Sequence, residues 1–264
     1  MTGPSSRHAA ARTAWVAAQL EKARLLHLDG INFDLEDPIP PGHPLARNYT
    51  ALVAVTASAF HAAIPGSQVS VDVPWSPFGI DGRSYDWHGL ASAADLLFVM
   101  AYDMQSQIWG SCVASANSPA ALVLRGAQQW LELGIPADKL ILGLPWYGYR
   151  YPCANPAFAA GQEQLCALPP TPFQGAPCSD AAGDPPASRR FQVWFDSPQS
   201  LEAKYALAAR LGLRGVGVWH LDCVDYRCSD AACRGETEGM WAALRAFTGA
   251  AAGSRQPAKQ QTRL

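Results

Sequence analysis

Two acidic residues close together near the amino end of the chain are the first sign of chemistry. Asp34 and Glu36 lie in the stretch DGINFDLED, from Asp29 to Asp37. With the period of two of a β-strand, both would face one side, with Cα atoms roughly 6.5 to 7 Å apart. Close carboxylates keep one of the pair protonated, and such a group can act as a general acid on a glycosidic oxygen. The alternative is two solvated charges at the end of a strand.

Each of the five strand-like segments of the chain, including the first, ends in a polar or aromatic cluster. The five clusters are DLED, VPWSP, AYD, LPWYG and VWHLD. In a barrel of parallel βα units, the carboxyl ends of the strands and the loops after them build the active site. The repeated pattern therefore favours a substrate site over two solvated charges.

Helix-like and strand-like segments alternate with no long linker between them. Helical spacing predicts helices over residues 13–27, 46–62, about 90, 119–133, 200–211 and about 236–247. The strand-like segments are DGINFDLE, SQVSVDVPW, DLLFVMAYD, KLILGLPWYG and RGVGVWHLD. Strands separated by such helices pair in parallel through right-handed crossovers, which predicts an α/β fold. A complete TIM (β/α)8 barrel needs eight strands, so we predict a partial barrel with about five βα units.

The domain prediction is a single domain over residues 1–248 with one insertion. Residues 151–192 are rich in Pro, Ala and Gly and contain cysteines 153, 166 and 178, which predicts a loop insertion. The tail, residues 249–264, is polar and slightly basic, which predicts disorder.

Composition argues against several classes of partner. The chain has 264 residues, 49% of them hydrophobic and 16% charged, as expected of a soluble globular protein. A net charge of -2 provides no basic field for nucleic acid or anionic membrane. No apolar run approaches the roughly 20 residues that span a bilayer. We therefore expect neither nucleic acid nor membrane as a partner.

Cysteines and a glycosylation sequon favour an oxidising compartment. None of the seven cysteines forms a C-x-x-C pair, which favours disulfides over a structural zinc site. Asn48 begins the sequon Asn-Tyr-Thr in what we interpret as a polar loop. The start, MTGPSSRHAAARTAW, lacks the features of a secretory signal and conflicts with that compartment. His27, His61, His88 and His220 lack metal-ligand spacing, so we expect no metal and no organic cofactor.

The stretch DGINFDLE resembles the D-G-x-D-x-D-x-E signature of family 18 glycoside hydrolases, with Asn32 in place of the first inner Asp. The ordered set of motifs over residues 11–246 is similar to the branch of that family that cleaves N,N'-diacetylchitobiose, where the same Asn occurs. The motifs are DGINFDLE, VPWSP, FVMAYDMQSQIW, LGLPWYGY, PFQGAPCSDAAG, QVWFDSPQSL and RGVGVWHLDCVDY.

This resemblance implies a retaining mechanism in which the 2-acetamido oxygen of the substrate attacks the anomeric carbon. By the same resemblance, Glu36 protonates the glycosidic oxygen and then activates water. Asp34 holds the acetamido N–H and balances the developing positive charge. Tyr102 donates a hydrogen bond to the acetamido oxygen.

The resemblance also implies residues that line the sugar site. Met100 and Asp103 would line the same pocket as Tyr102. Trp219 would form an apolar floor under the sugar, because an indole buries a large area against its C–H face. Secondary candidates for substrate contacts are Trp75, Trp146 and Tyr147. The neutral amide of Asn32 removes a charge beside Asp34, and we expect an acidic pH optimum.

The wider expectations come from the same family. The implied ligand is an N-acetylglucosamine-containing oligosaccharide, the implied compartment is the lysosome, and the full-length relatives are expected to be monomers. The resemblance starts at the helix before the signature strand, so the five βα units correspond to strands 4 to 8 of the barrel, in an amino-terminally truncated chain. The chain is also shorter than expected over residues 183–190.

Two other functional classes compete with an active glycosidase. One is a non-catalytic, lectin-like glycan-binding barrel, against which the presence of Glu36 argues. The other is an inactive truncated chain without a stable fold, for which the missing strands argue.

Overall fold

Helices and strands alternate along the chain in this computed structural model, which describes residues 4–104, 113–153 and 191–254. The helices are α1 Pro4–Leu25, α2 Pro44–Ala63, α3 Trp87–Ala93, α4 Ala120–Glu132, α5 Pro198–Arg210, α6 Ala231–Ala243 and α7 Arg245–Ser254. The strands are β1 Gly30–Phe33, β2 Gln68–Pro74, β3 Leu96–Met100, β4 Leu140–Pro145, β5 Tyr149–Pro152, β6 Phe191–Trp194 and β7 Gly215–Trp219. Short 3-10 helices lie at Ile80–Gly82, Ala137–Lys139 and Leu221–Cys223.

Local sequence signals set where several helices begin. α2 and α5 each have a proline in the first turn, directly after a capping side chain. His43 accepts a hydrogen bond from the N–H of Leu45, and Ser197 accepts one from the N–H of Ser200. Proline suits this position because its φ is preset and its missing N–H is not needed in the first turn.

The first helix and the last predicted helix begin earlier than the sequence predicted. α1 begins at Pro4, and its residues show almost no amphipathic periodicity that could have marked this start. α6 begins at Ala231, where the Asp230 side chain accepts a hydrogen bond from the N–H of Cys233.

The five strand-like segments of the sequence form one parallel sheet in the order β1-β2-β3-β4-β7. β1 pairs in parallel with β2, and β2 pairs in parallel with β3. In this register Asn32 lies opposite Ser70, and Asp72 lies opposite Phe98. The prediction of an α/β fold with five parallel strands between helices is confirmed.

The single domain over residues 1–248 stays a prediction, and the chain divides into two compact units. The first consists of Met1–Met100 with Ala127–Ile141, and the second of Ala101–Gly126 with Leu142–Leu264. The three limits between the units along the chain therefore fall at the end of β3, inside α4 and inside β4.

The core of the first unit is built on the alternation of β2. Its fully buried side chains are Val69, Val71 and Val73. Helix α2 packs against this strand, and its Val53 and Phe60 are also fully buried. Ser70 and Asp72 alternate with the valines and so point to the opposite face of the sheet, where they are half-buried. The strand thus separates an apolar layer from a polar one.

A row of six aromatic rings crosses the first unit. Successive ring centroids are 5.1 to 6.2 Å apart. The rings belong, in order, to Trp15, Phe33, Tyr49, Tyr85, Trp87 and Trp130. Tilted and edge-on contacts at these distances stabilise aromatic pairs. The row therefore links α1, β1, α2, α3 and α4 through side chains.

The second unit contains an antiparallel pair that the sequence analysis missed. β5 pairs with β6, with Tyr149 opposite Trp194 and Pro152 opposite Phe191. These strands lie at the two ends of the predicted insertion, whose residues 154–190 fall outside the described part of the chain. Four-residue strands are too short to produce a clear period in the sequence.

A buried ion pair anchors α5 in the second unit. Lys204 Nζ lies 2.5 Å from Asp196 Oδ1, and the two side chains are 4% and 9% exposed. The same ammonium group donates a hydrogen bond to the carbonyl of Ser118, and Ser200 Oγ donates one to Asp196. Burial lowers the pKa of Lys204, although the neighbouring Asp196 favours its charged form. The pair connects α5 to the segment before α4 and to the segment between β6 and α5.

The carboxyl-terminal end is more regular than the sequence suggested. α7 continues through Ser254, so the first residues of the tail at 249–264 are helical. Residues 255–264 lie outside the described part of the chain.

We predict that Lys204→Met lowers the free energy of unfolding by about 3 kcal/mol, because it leaves the buried Asp196 carboxylate without its cation. Urea unfolding followed by circular dichroism measures this change. Lys22→Met, at an exposed position of α1, is the matched control and should change stability by less than about 0.5 kcal/mol. Equal stability of the two variants would contradict a structural role for the buried pair.

Candidate active site

The signature stretch begins as a strand that approaches its neighbour closely. A Cβ atom at Gly30 would lie 1.8 Å from the carbonyl oxygen of Gln68 in β2, so only glycine fits there. This approach sets the pairing of β1 with β2. The strand then ends at Phe33.

The prediction that Asp34 and Glu36 share one face of a strand is wrong. Both residues follow the end of β1, in a segment without regular structure. Further along the chain, Ile39 forms an isolated bridge with Arg83. The side chains of Asp34 and Glu36 are both exposed.

The side-chain hydroxyl of Tyr85 binds the backbone of the segment around Glu36. The Tyr85 hydroxyl oxygen lies 3.0 Å from the carbonyl oxygen of Leu35 and 2.7 Å from that of Asp37. Burial raises the pKa of Tyr85 to about 12, so the hydroxyl stays protonated and available as a donor. The two carbonyls flank Glu36, whose backbone is therefore fixed on both sides.

Arg83 holds the Glu36 side chain. Arg83 Nη2 lies 2.5 Å from Glu36 Oε2, and a second carboxylate, Asp81, lies 3.8 Å from the same nitrogen. The Arg83 side chain is 11% exposed, whereas that of Glu36 is 49% exposed. The acidic group is thus positioned by a buried cation and remains open to solvent, as a proton donor to an external ligand must be.

Asn32 lies in a hydrogen-bonded chain across β1 and β2. Its Nδ2 donates to Asp72 Oδ2 at 2.8 Å, and Ser70 Oγ donates to Asn32 Oδ1 at 2.6 Å. Because Asn32 and Ser70 are register partners, the three side chains lie on one face of the sheet. Both ends of the Asn32 amide therefore have a partner.

Asp72 is a site residue that the sequence analysis missed. Burial, with further contributions from Asp34 and Glu36, raises the pKa of Asp72 from 3.8 to about 6, although the hydrogen bond from Asn32 opposes the shift. One signal could have identified it. The strand QVSVDVP contains an Asp between two valines, and Asp is unfavourable in a strand.

Tyr49 places a phenol beneath these carboxylates. The side chain is 7% exposed, and within the described residues its hydroxyl has no hydrogen-bond partner. Burial raises the pKa of Tyr49 well above its usual value, and Tyr85, Asp72 and Asp34 add to the shift. The hydroxyl is a neutral donor close to the acidic group.

In the second unit, Asp103 forms hydrogen bonds with Asn117, Tyr147 and Tyr149. The backbone N–H of Asp103 donates to Asn117 Oδ1 at 2.6 Å, and its own Oδ1 accepts hydrogen bonds from Tyr147, at 2.6 Å, and from Tyr149. Asp103 has φ of 50°, in the left-handed region that Asp tolerates. Burial and the bond to Asp103 raise the pKa of Tyr147 well above its usual value.

The tyrosines and tryptophans predicted to contact the sugar have different environments. Tyr102 is half-buried, with its ring edge-on to Tyr147 at 6.3 Å. Trp146 is 5% exposed, and its indole N–H donates to Tyr205 at 3.0 Å, which is a core environment. Trp219, at the end of β7, is 52% exposed.

Trp75 and Met100 occupy neighbouring strand ends in the first unit. Met100 is the last residue of β3 and pairs with Pro74, and Trp75 directly follows Pro74. Both side chains are half-buried. Their location at strand ends agrees with the predicted pattern, and a sugar contact by either remains a prediction.

Disulfides are present among the described cysteines. Cys228 and Cys233 are bonded, with Cα atoms 5.5 Å apart, and Cys153 is also disulfide-bonded. Cys223 is a free, exposed thiol. Asp225, Cys228 and Cys233 lie close enough together to hold a metal ion. Because the two cysteines are bonded to each other, they are unavailable as thiolate ligands.

The sequon at Asn48 lies in helix α2 and not in the loop that the sequence suggested. Pro44 starts the helix, so the polar stretch after it is helical. Asn48 is exposed, and Thr50 Oγ1 donates to the carbonyl of Ala46 and to Asp86. Glycosylation of Asn48 remains a prediction. In the described portions of the chain, no helix is long and apolar enough to cross a membrane.

The sequence is similar to known glycoside hydrolases. The family model described as "Glycosyl hydrolases family 18" matches residues 4–223. Di-N-acetylchitobiase of Rattus norvegicus is 42% identical over 266 residues, which cover 89% of this chain and 71% of that protein. Di-N-acetylchitobiase of Homo sapiens is 39% identical over 266 residues, covering 89% and 68%.

Solved structures share the fold at lower identity. Ostrinia furnacalis Group IV chitinase, in complex with allosamidin, matches with a TM-score of 0.68 and 20% identity, over 93% of this chain and 74% of that one. A class V chitinase from Nicotiana tobaccum, in complex with NAG4, matches with a TM-score of 0.67 and 20% identity, over 94% and 74%.

We predict that Asp72→Asn stabilises the protein at neutral pH but not at acidic pH. The folded-state pKa is raised, so the Asp72 contribution to stability is complete below about pH 3.8 and is lost as the pH rises through about 6. After allowance for solvent screening, the variant should be about 1 to 2 kcal/mol more stable than the wild type at about pH 7.5 and nearly equal at about pH 4. Urea unfolding at both pH values measures the difference, with the exposed Asp138→Asn as control. A stability difference that does not change with pH would contradict the raised pKa.

Proposed function

The chain belongs to glycosyl hydrolase family 18, and from this premise we propose that it cleaves the β-1,4 bond of N,N'-diacetylchitobiose. Membership makes it a family 18 glycosidase with di-N-acetylchitobiase relatives. The observation that carries the proposal is the Glu36 carboxyl, which is half-exposed and fixed by Arg83 at the end of the signature stretch. Longer chitin oligosaccharides and asparagine-linked glycans contain the same linkage and are included in the proposed substrate class.

Glu36 is the proposed acid and base. In the first step its proton goes to the glycosidic oxygen, and the bond from that oxygen to the anomeric carbon breaks. In the second step the carboxylate takes a proton from water as the water oxygen bonds to the anomeric carbon. The fixed backbone on both sides of Glu36 supports this role, because proton transfer depends on small distances.

The nucleophile is the substrate's own acetamido oxygen, which bonds to the anomeric carbon and forms an oxazolinium ion. Asp34 accepts a hydrogen bond from the acetamido N–H and offsets the positive charge on this ion. Its exposed position directly after β1 supports the assignment. Water then opens the ring, and the configuration at the anomeric carbon is retained.

Residues of the second unit are assigned by the family resemblance and by their environment. We assign Tyr102 to the acetamido oxygen and Trp219 to stacking against the sugar, which its 52% exposure supports. Asp103 accepts two phenolic hydrogen bonds, so we assign it a positioning role for Tyr147. Trp146, whose indole is buried against Tyr205, is a weaker candidate for sugar contact.

We also propose a partial (β/α)8 barrel working in an acidic, oxidising compartment such as the lysosome. The five-stranded parallel sheet and the chitinase structures of similar fold support the architecture. The Cys228–Cys233 disulfide supports an oxidising compartment.

Glu36→Gln should lower kcat/KM for diacetylchitobiose by roughly 10²- to 10⁴-fold, because the amide keeps the size of the side chain but cannot transfer a proton. Release of N-acetylglucosamine, followed by liquid chromatography at mildly acidic pH, measures the rate. Asp37→Asn alters the neighbouring exposed carboxylate and should retain most of the activity.

Other outcomes distinguish the alternative functions. Binding of diacetylchitobiose by the wild type without hydrolysis, seen by calorimetry, would indicate a glycan-binding protein. A wild-type chain that melts without a cooperative transition would indicate that the residues of the site lack a stable scaffold. Equal rates for Glu36→Gln and the wild type would remove Glu36 from the mechanism.

The acetamido group of the substrate should be required. We expect the glucosamine dimer, which lacks the acetyl groups, to react roughly a thousandfold more slowly, because the internal nucleophile is absent. Proton NMR of the diacetylated substrate should detect an early excess of β-N-acetylglucosamine over its equilibrium share, because the newly cleaved unit is released as the β-anomer and the reducing-end unit as an anomeric mixture. An early excess of the α-anomer over its equilibrium share would contradict the retaining mechanism.

A further inference from the structure

We propose that Asp72 supplies, from β2, the negative charge that the family signature places at the position of Asn32, and that it thereby acts as a positioning residue for Glu36 and Asp34. This inference rests on the proposed hydrolysis and extends it to a residue outside the signature. It also explains how a neutral amide can occupy a position where related sequences have an acid.

The geometry connects Asp72 to the signature through one side chain. Asn32 Nδ2 donates to Asp72 Oδ2 at 2.8 Å, while Ser70 holds the other end of the amide at 2.6 Å. Parallel pairing of β1 with β2 fixes Asn32 opposite Ser70, two residues before Asp72 on the same strand. The carboxylate therefore orients the amide and adds its charge to the same face of the sheet.

Several titratable groups lie around Asp72. Asp34 and Glu36, in the segment after β1, both act on it, as the direction of its pKa shift indicates. From α2, the buried Tyr49 hydroxyl is a neutral donor influenced by the same carboxylate. On the far side, β3 has the sequence LLFVM and contributes no titratable side chain. The cation of the cluster, Arg83, is engaged by Glu36.

Once ionised, Asp72 assists the reaction through its negative charge, which stabilises the positive oxazolinium ion that forms nearby. This effect depends on the charge, and a role in packing alone would not produce it.

The decisive experiment exchanges the charge between the two strands. Above about pH 6, where Asp72 is ionised, Asp72→Asn should reduce kcat/KM for diacetylchitobiose by roughly 10- to 100-fold, and it should remove the dependence of kcat/KM on pH around about pH 6. The double variant Asn32→Asp/Asp72→Asn returns a carboxylate to the position in the signature. It should recover the rate at this pH to within about tenfold of the wild type.

Two results would overturn the inference: wild-type activity of Asp72→Asn, or failure of the double variant to rescue the rate. Asp72→Asn with the wild-type rate and pH profile makes the carboxylate irrelevant to the reaction. A double variant no better than Asp72→Asn limits Asp72 to a local structural role. Asp138→Asn, at an exposed position remote in sequence, serves as the control for charge removal.

Binding measurements separate failure of this inference from failure of the proposed function. In the Glu36→Gln background, the affinity for diacetylchitobiose, measured by calorimetry between about pH 4 and pH 8, should change through about pH 6. Addition of Asp72→Asn should remove that change. Binding with the same pH dependence in both variants overturns the inference alone, whereas absence of binding overturns both.

Discussion

The parallel pairing of β1 with β2 is the interaction on which the proposed site in the first unit depends. It requires glycine at position 30, where any side chain would collide with the Gln68 carbonyl. It also sets Asn32 opposite Ser70 and brings its amide to Asp72. A slip of one residue would turn Asn32 to the apolar face of the sheet and separate it from Asp72.

Beyond β1, long-range side-chain contacts take over the positioning. Tyr85 fixes the carbonyls on both sides of Glu36, and Arg83 fixes the carboxylate itself. Tyr85 is in turn held in the row of aromatic rings, between Tyr49 and Trp87. The acidic cluster costs stability at neutral pH, since Asp72 is partly buried near two other carboxylates, and the apolar core beneath it offsets this cost.

The second unit uses polar groups in the same structural way. Asp103 accepts hydrogen bonds from Tyr147 and Tyr149, and Lys204 joins α5 to Asp196. Both carboxylates are occupied by donors of the protein. A position at the end of a strand therefore does not by itself assign a side chain to the substrate, and Asp103 and Trp146 illustrate the difference.

The local pattern of residues was enough to predict the five parallel strands, most of the helices and the signature with Glu36, because periodicity and strand-end clusters are properties of neighbouring residues. It could not predict that β1 ends before Asp34, nor the pairing of β5 with β6. Arg83 and Asp72 were missed because they meet Glu36 and Asn32 over separations of 47 and 40 residues. Such partners are chosen by strand register and by loop packing, which only the tertiary structure decides.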